Sequence, residues 1–148
     1  MLSKSTEYAI RSLVFIQIRN WEEKRPGIIE IAQEIEAPKP FAAKVLQILT
    51  RHGLVHSLKG RGGGFYFSEK HLNIKIYDII HIMEGDGIFH KCGFGLKDCS
   101  NLNPCPLHDR YAEVRDGFFQ IVNTETIYSL AKKVVEGTAV LNSMTNLN

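Results

Sequence analysis

A change of period at Gly53 restricts this chain more than any other feature. Before it, apolar residues recur at helical spacing. After it come two short β-favouring runs around a glycine-rich turn. Ile10, Leu13, Val14, Ile18 and Trp21 predict an amphipathic helix over residues 4–20. Pro26-Gly27 punctuates the chain, and Ile28, Ile31, Ala32 and Ile35 form a second, short stripe. Pro38 and Pro40 end that helix and suit the start of a third, with the stripe Phe41, Ala42, Val45, Leu46, Ile48 and Leu49. Helix, tight turn, helix is the spacing of a helix-turn-helix. Leu54–Leu58 and Phe65–Phe67 then read as strands joined by Lys59-Gly60-Arg61-Gly62-Gly63-Gly64, a turn whose positive φ angles glycine adopts without steric penalty. A hairpin directly behind a helix-turn-helix predicts a winged helix: a mainly α fold with a small β-hairpin.

Residues 74–84 read as a further helix through Ile76, Ile79, Ile80 and Met83. From Gly85 to Pro106 periodicity is lost, and the three cysteines of the chain all fall there. A structureless stretch of about twenty residues in a small domain is more often functional than not. Helical spacing returns from Leu107 to about Val122, with Tyr111, Val114, Phe118, Phe119 and Ile121, and Thr124 is placed to cap a last helix carrying Ile127, Leu130, Ala131 and Val134. The expected organisation is a winged-helix domain over 1–84, a cysteine-bearing loop over 85–106, helices over 107–140 and a frayed tail over 141–148.

With 148 residues, 44% of them hydrophobic, the chain can bury a core without a disulfide framework, and a net charge of +2 argues against disorder. No apolar stretch approaches the roughly 20 residues of a membrane span. The opening Met1-Leu2-Ser3-Lys4-Ser5-Thr6-Glu7 has no signal-peptide pattern, so the expected location is the cytoplasm.

Charge is unevenly placed. Residues 1–70 hold 11 Lys and Arg against 7 Asp and Glu, whereas residues 71–148 hold 7 against 9. Between Ala37 and Lys70 stand Lys39, Lys44, Arg51, Lys59, Arg61 and Lys70 against the single acid Glu69. A local basic field on a nearly neutral chain points to an anionic partner, or to a merely solvated surface. The third helix decides between them. Its non-core positions include Lys39, Ala43, Lys44, Gln47 and Arg51, types suited to base edges and phosphates in a major groove. Lys59 and Arg61 flank a wing tip whose glycines permit close approach to a nucleic-acid backbone. Gly60–Gly64 does not make a nucleotide loop, because Phe65 stands where the last glycine of G-x-G-x-x-G belongs and no Gly-Lys-Ser/Thr follows.

The cysteines run Cys92-x6-Cys99-x5-Cys105-x2-His108. Clustered thiols in a reducing compartment suit metal or redox chemistry better than structural disulfides. Three readings stay open on spacing: an iron–sulfur cluster, zinc held by three Cys and one His, and a thiol–disulfide switch. His108 is the near candidate for a fourth ligand, with His90, Asp98 and Asp109 as weaker ones.

Taken together, these segments resemble the bacterial winged-helix regulators that include IscR, NsrR, RirA and CymR. The resemblance runs from about Met1 to Lys133. It is carried by Glu7-Tyr8-Ala9-Ile10-Arg11, by Pro38-Lys39-Pro40-Phe41-Ala42-Ala43-Lys44-Val45-Leu46-Gln47, by His52-Gly53-Leu54-Val55 and by Lys59–Phe65. It implies a homodimeric transcription factor on palindromic double-stranded DNA, expected to repress, with a long C-terminal helix as dimer interface. Lys39, Pro40, Phe41, Lys44, Gln47, Arg51, Lys59 and Arg61 are the expected DNA contacts. The family's three loop cysteines match Cys92, Cys99 and Cys105, which in cluster-binding members hold a two-iron or four-iron centre; CymR-like members lack them. His108 matches the position that completes the two-iron site in IscR-like members, and Glu7 matches a carboxylate ligand supplied across the dimer in others. The first gap, six residues, is one longer than in IscR-like members.

The implied chemistry is signalling rather than turnover, in the cytoplasm and at the nucleoid when DNA is bound. No dehydrogenase fingerprint, no Ser/His/Asp motif and no C-x-x-C supports an enzyme. A protein-interaction module built on the C-terminal helices is the other competing class.

Overall fold

A computed structural model describes residues 2–69, 73–96 and 98–142. The order of elements is α1 (Lys4–Trp21), α2 (Ile28–Glu34), α3 (Lys39–Arg51), β1 (His56–Leu58), β2 (Gly64–Tyr66), α4 (Ile76–Glu84), α5 (His108–Thr124) and α6 (Ile127–Val135). This is a winged helix-turn-helix followed by two further helices. Lys70 and residues 143–148 of the expected tail lie outside the described residues.

α1 is the central element, packed against α2, α3, α4, α6 and β2. Ser3 caps it, its hydroxyl accepting from the Thr6 N–H at 3.1 Å. Ala9, Leu13, Val14, Phe15 and Ile16 are buried along its length, where they meet Ile31 and Ile35, Ala42, Leu46 and Leu49, and Ile79 and Ile80 in one core. Burying each large aliphatic side chain contributes about 1.5–3 kcal/mol. The second helix and the turn after it are also held to the first by charge: Arg19 reaches Glu30 at 2.8 Å and Arg11 reaches Glu36 at 3.4 Å. Trp21, in the apolar stripe of the sequence, stays 41% exposed and meets Tyr128 of α6 edge to face.

The first strand is shorter than the sequence suggests, and the second begins one residue earlier. Leu54 and Val55 belong to the turn that ends α3, and Val55 is fully buried beneath the wing. β1 and β2 pair antiparallel, His56 with Tyr66, Ser57 with Phe65 and Leu58 with Gly64. The second strand begins on glycine for a steric reason. At φ +137°, a Cβ on Gly64 would lie 2.2 Å from the Arg25 carbonyl oxygen. That close approach lets Phe65 N–H donate to Pro26 O at 2.9 Å, fastening the wing to the loop between α1 and α2.

The C-terminal helices fold back onto the winged unit. Ile127 N–H donates to Ile74 O, and Ile76 N–H to Glu125 O, tying the start of α4 to the α5–α6 corner. Ile127 and Ala131 of α6 are buried against α1. The cap of α6 is Thr126, not Thr124: Thr126 Oγ1 accepts from Ser129 N–H at 3.0 Å and Ser129 Oγ accepts from Thr126 N–H at 2.9 Å. Thr124 is instead the last residue of α5, its hydroxyl donating back to Gln120 O. α5 presents a different picture from α6, since its Val114, Phe119 and Ile121 remain 60%, 42% and 58% exposed.

Candidate nucleic-acid interface and thiol loop

Pro38 precedes α3 and Pro40 sits in its first turn, where the ring sacrifices no helical hydrogen bond. Ala42, Val45, Leu46 and Leu49 turn inward, which leaves Lys39, Pro40, Phe41, Lys44, Gln47 and Arg51 on the exposed side. Phe41, part of the apolar stripe in sequence, is 57% exposed on that outer side, and Ile48 is half-buried. Lys59 and Arg61 are exposed at the wing tip. Among the described residues none of these five cations forms an ion pair, so their charge faces outward uncompensated.

The helix and the wing share concave surface. One groove of about 740 Å³ runs from Ile28 and Gln33 past Lys39 to Ser57, Leu58 and Lys59. A second hollow is lined by Ala43, Gln47, Thr50 and Arg51 of α3 with Ser57 and Phe65 of the wing. Thr50 and Ser57 therefore stand beside the predicted contacts, although no sequence pattern marked them. Behind the wing, the Arg25 guanidinium lies 4.4 Å from the Tyr66 ring centre, and His56 packs against the same ring at 5.6 Å.

The thiol loop leaves α4 through a short 3-10 turn, Gly87–Phe89. Phe89 packs against Tyr77 of α4 and against Phe118 and Phe119 of α5, with ring centres 5.1–5.9 Å apart. This aromatic cluster joins the root of the loop to both helices. At the same root, Asp86 accepts from the Tyr77 hydroxyl at 3.1 Å and lies 2.7 Å from His81 Nδ1.

The four predicted ligands stand as two pairs. Cys92 and Cys105 are both buried, and each thiol shifts the protonation of the other. Cys99 is half-buried, and its Sγ lies 3.5 Å from Nδ1 of the buried His108. All three cysteines are free thiols. Among the described residues no three His, Cys, Asp or Glu side chains form a group that could hold a metal ion. Of the weaker candidates, His90 is exposed and its carbonyl accepts from Cys99 N–H, Asp98 and Asp109 are exposed, and Glu7 pairs with Lys4 on α1 at 3.3 Å.

The two buried sulfurs differ electrically. Burial pushes the Cys92 thiol up, but backbone N–H groups of Phe94, Leu96 and Gly95, together with Cys105, more than offset it and hold Cys92 below the ordinary thiol value. The Phe94 N–H is 3.3 Å from that sulfur. Cys105 is pushed the other way, by burial first and by Cys92 second. The loop can wrap Cys92 this closely because residue 93 is glycine: a Cβ there would lie 2.6 Å from the Tyr111 ring. The orienting partner of His108 is one that sequence reasoning missed. Asn101 Oδ1 lies 2.7 Å from His108 Nε2.

Comparison with known proteins agrees with this architecture. The family described as "Rrf2: Iron-dependent Transcriptional regulator" matches residues 2–133. Protein aau3 of Rhizobium meliloti is 32% identical over 132 residues, covering 88% of this chain and 84% of that protein. The HTH-type transcriptional regulator NsrR of Oceanobacillus iheyensis is 28% identical over 141 residues, covering 95% of each. Among solved structures, CymR of B. subtilis superposes with a TM-score of 0.69 at 20% identity, over 89% of this chain and 96% of that one. T. potens IscR gives the same TM-score at 19% identity, over 99% of this chain and 96% of that one. Both share the winged-helix fold. No described helix is long and apolar enough to cross a membrane.

Proposed function

The chain belongs to the Rrf2 family of transcriptional regulators, and we propose that it binds palindromic promoter DNA as a homodimer whose grip is set by an iron–sulfur cluster on Cys92, Cys99, Cys105 and His108. That it is a DNA-binding regulator, and not an enzyme, follows from the family. The observation that carries the finer reading is the pairing of two surfaces in one chain: an outward, unpaired basic face on α3 and the wing, and a buried thiol loop attached by Phe89 to the helices behind it.

On DNA, α3 enters a major groove with Lys39, Lys44, Gln47 and Arg51 toward base edges and phosphates, while Pro40 and Phe41 pack at its entry. Lys59 and Arg61 hold the flanking backbone. Val114 and Ile121, seven residues apart on one face of α5, support the dimer, because exposed apolar side chains on a long helix are what a second copy would cover. A twofold dimer sets two copies of α3 about one helical turn apart.

The donor set fits a cluster in its chemistry. It supplies three free thiols and a buried imidazole, with the Phe94 N–H 3.3 Å from the Cys92 sulfur. Closing the two pairs onto one centre requires movement of the irregular loop between Cys92 and Cys105. When bound, a cluster supplies a reversible change of charge and ligation. Movement of the loop pulls on Phe89, and so on α4 and α5; α4 packs on α1, and α1 on α3. Because two half-sites are read at fixed spacing, a small rotation of one α3 against the other changes affinity. The family description as iron-dependent and the presence of three cysteines within one loop favour this reading.

One observation favours a second reading. Cys92 and Cys105 are both buried, and each perturbs the thiol of the other, as the two partners of a thiol–disulfide switch would. Anaerobic purification separates the two. The cluster reading expects coloured protein with iron and sulfide in comparable amounts. Colourless protein that takes up neither iron nor sulfide on reconstitution, or that holds one zinc per chain, overturns it.

A further inference from the structure

The two ring nitrogens of His108 have different partners, and this fixes which of them is bare. Nε2 lies 2.7 Å from the side-chain oxygen of Asn101, and Nδ1 lies 3.5 Å from the sulfur of Cys99. An amide oxygen only accepts, so Nε2 must carry the hydrogen. A neutral imidazole has one N–H, and therefore Nδ1 holds a lone pair directed at the cysteine. His108 is buried, only 7% exposed, at the first position of α5. Its backbone is also fixed, since His108 N–H donates to Cys105 O at 2.9 Å.

We infer that Asn101 is a positioning residue that locks His108 in the Nε2–H tautomer, so that Nδ1 is the nitrogen offered to the thiol site. The part of this inference that concerns a ligand role for Nδ1 rests on the cluster reading above; the tautomer does not. A side-chain carbonyl that holds the far N–H of a ligating histidine sets ring plane and tautomer together and raises the basicity of the near nitrogen. Asn101 suits the task because it follows Cys99 by two residues, so one turn of loop carries both the thiol that faces Nδ1 and the oxygen that holds Nε2–H.

The test uses full-length, metal-free protein labelled with ¹⁵N-histidine, with the His108 signal assigned by its loss in His108→Gln. Long-range ¹H–¹⁵N correlation reads the tautomer directly. The native protein is expected to favour Nε2–H by about tenfold or more, the ratio that one buried hydrogen bond of ordinary strength supplies. Asn101→Leu is expected to bring the two tautomers within about threefold, with a small fall in melting temperature and no loss of fold, because only this one hydrogen bond is removed. Asn101→Asp keeps an acceptor and is expected to restore the preference. An Nδ1–H ring in native protein, or an unaltered tautomer ratio in Asn101→Leu, overturns the inference. Reconstituted protein then separates the two claims: magnetic coupling of His108 Nδ1 to a bound iron centre supports both. The expected tautomer without such coupling in an iron-loaded protein leaves the role of Asn101 standing and removes His108 from the ligand set.

Discussion

Phe67 N–H donates to Oδ1 of Asn20 at 2.9 Å, across 47 residues of sequence. The amide nitrogen of Asn20 donates in turn to Phe65 O at 3.2 Å and Lys24 O at 2.9 Å. One side chain near the end of α1 thus sets the angle of the wing against the helix bundle. Asn20→Ala leaves partly buried backbone groups of the wing unpaired, and is expected to lower stability by about 1–3 kcal/mol. Denaturant unfolding measures the loss, and hydrogen exchange should show it concentrated at Phe65 and Phe67.

Gly64→Ala is a sharper lesion in the same region. The positive φ alone costs about 1–3 kcal/mol for a residue with a Cβ, and the added carbon meets the Arg25 carbonyl at 2.2 Å. The loop between α1 and α2 must then release the wing. We expect DNA affinity to fall further than global stability, because α1, α3 and α4 do not depend on this contact. Parallel thermal melts and gel shifts check the comparison.

Lys44 and Arg61 are expected to act as phosphate or base contacts from two separate elements. Lys44→Ala and Arg61→Ala should each weaken binding and reduce the slope of log affinity against log salt by about 1 if the contact is to phosphate. A contact to a base edge instead costs about 1–3 kcal/mol at one position of the site. Affinities on one duplex at several salt concentrations distinguish these outcomes. Unchanged affinity in both variants contradicts the assigned surface.

Glu84 ties the end of α4 to the start of α1, accepting from the Thr6 hydroxyl and from Ser3 N–H. Burial raises its carboxyl, but the Thr6 and Ser3 donors outweigh burial and hold it below the ordinary carboxylate value. A depressed carboxyl stabilises the fold above its unfolded pKa, and that contribution disappears as pH falls through the folded value. Thr6→Val should therefore cost about 1 kcal/mol at neutral pH. The gap between native and variant should close as acid protonates Glu84. Urea midpoints measured from neutral to acid pH check the sign.

The winged helix was legible because its signals are local. The inward positions of α3 follow from the spacing of Ala42, Val45, Leu46 and Leu49, and the hairpin from the glycine run. Phe41 shows the limit of that logic: hydrophobicity placed it in the stripe, yet it lies about a quarter turn from the middle of the inward set Ala42, Val45, Leu46 and Leu49, which leaves the ring outside. The cap of α6 moved from Thr124 to Thr126 because Ser129, three residues on, completes a reciprocal pair that Thr124 lacks. Asn20 and Asn101 carried no pattern at all. Their roles depend on what folding brings opposite them, a strand edge for one and an imidazole for the other. In the thiol loop, spacing named the four donors but not that Cys99 faces His108 while Cys92 and Cys105 are the buried sulfurs that perturb each other.

Coupling between thiol loop and DNA is the central claim, and one titration tests it. Fluorescence anisotropy would follow binding to a palindromic duplex selected by the protein itself from a random pool, under anaerobic conditions, with iron–sulfur-loaded and metal-free protein in parallel. The account predicts two chains per duplex and affinities that differ by about fivefold or more between the two forms, the lower end of ordinary coupling between sites. Equal affinities for the loaded and metal-free protein, or one chain per duplex, would contradict it.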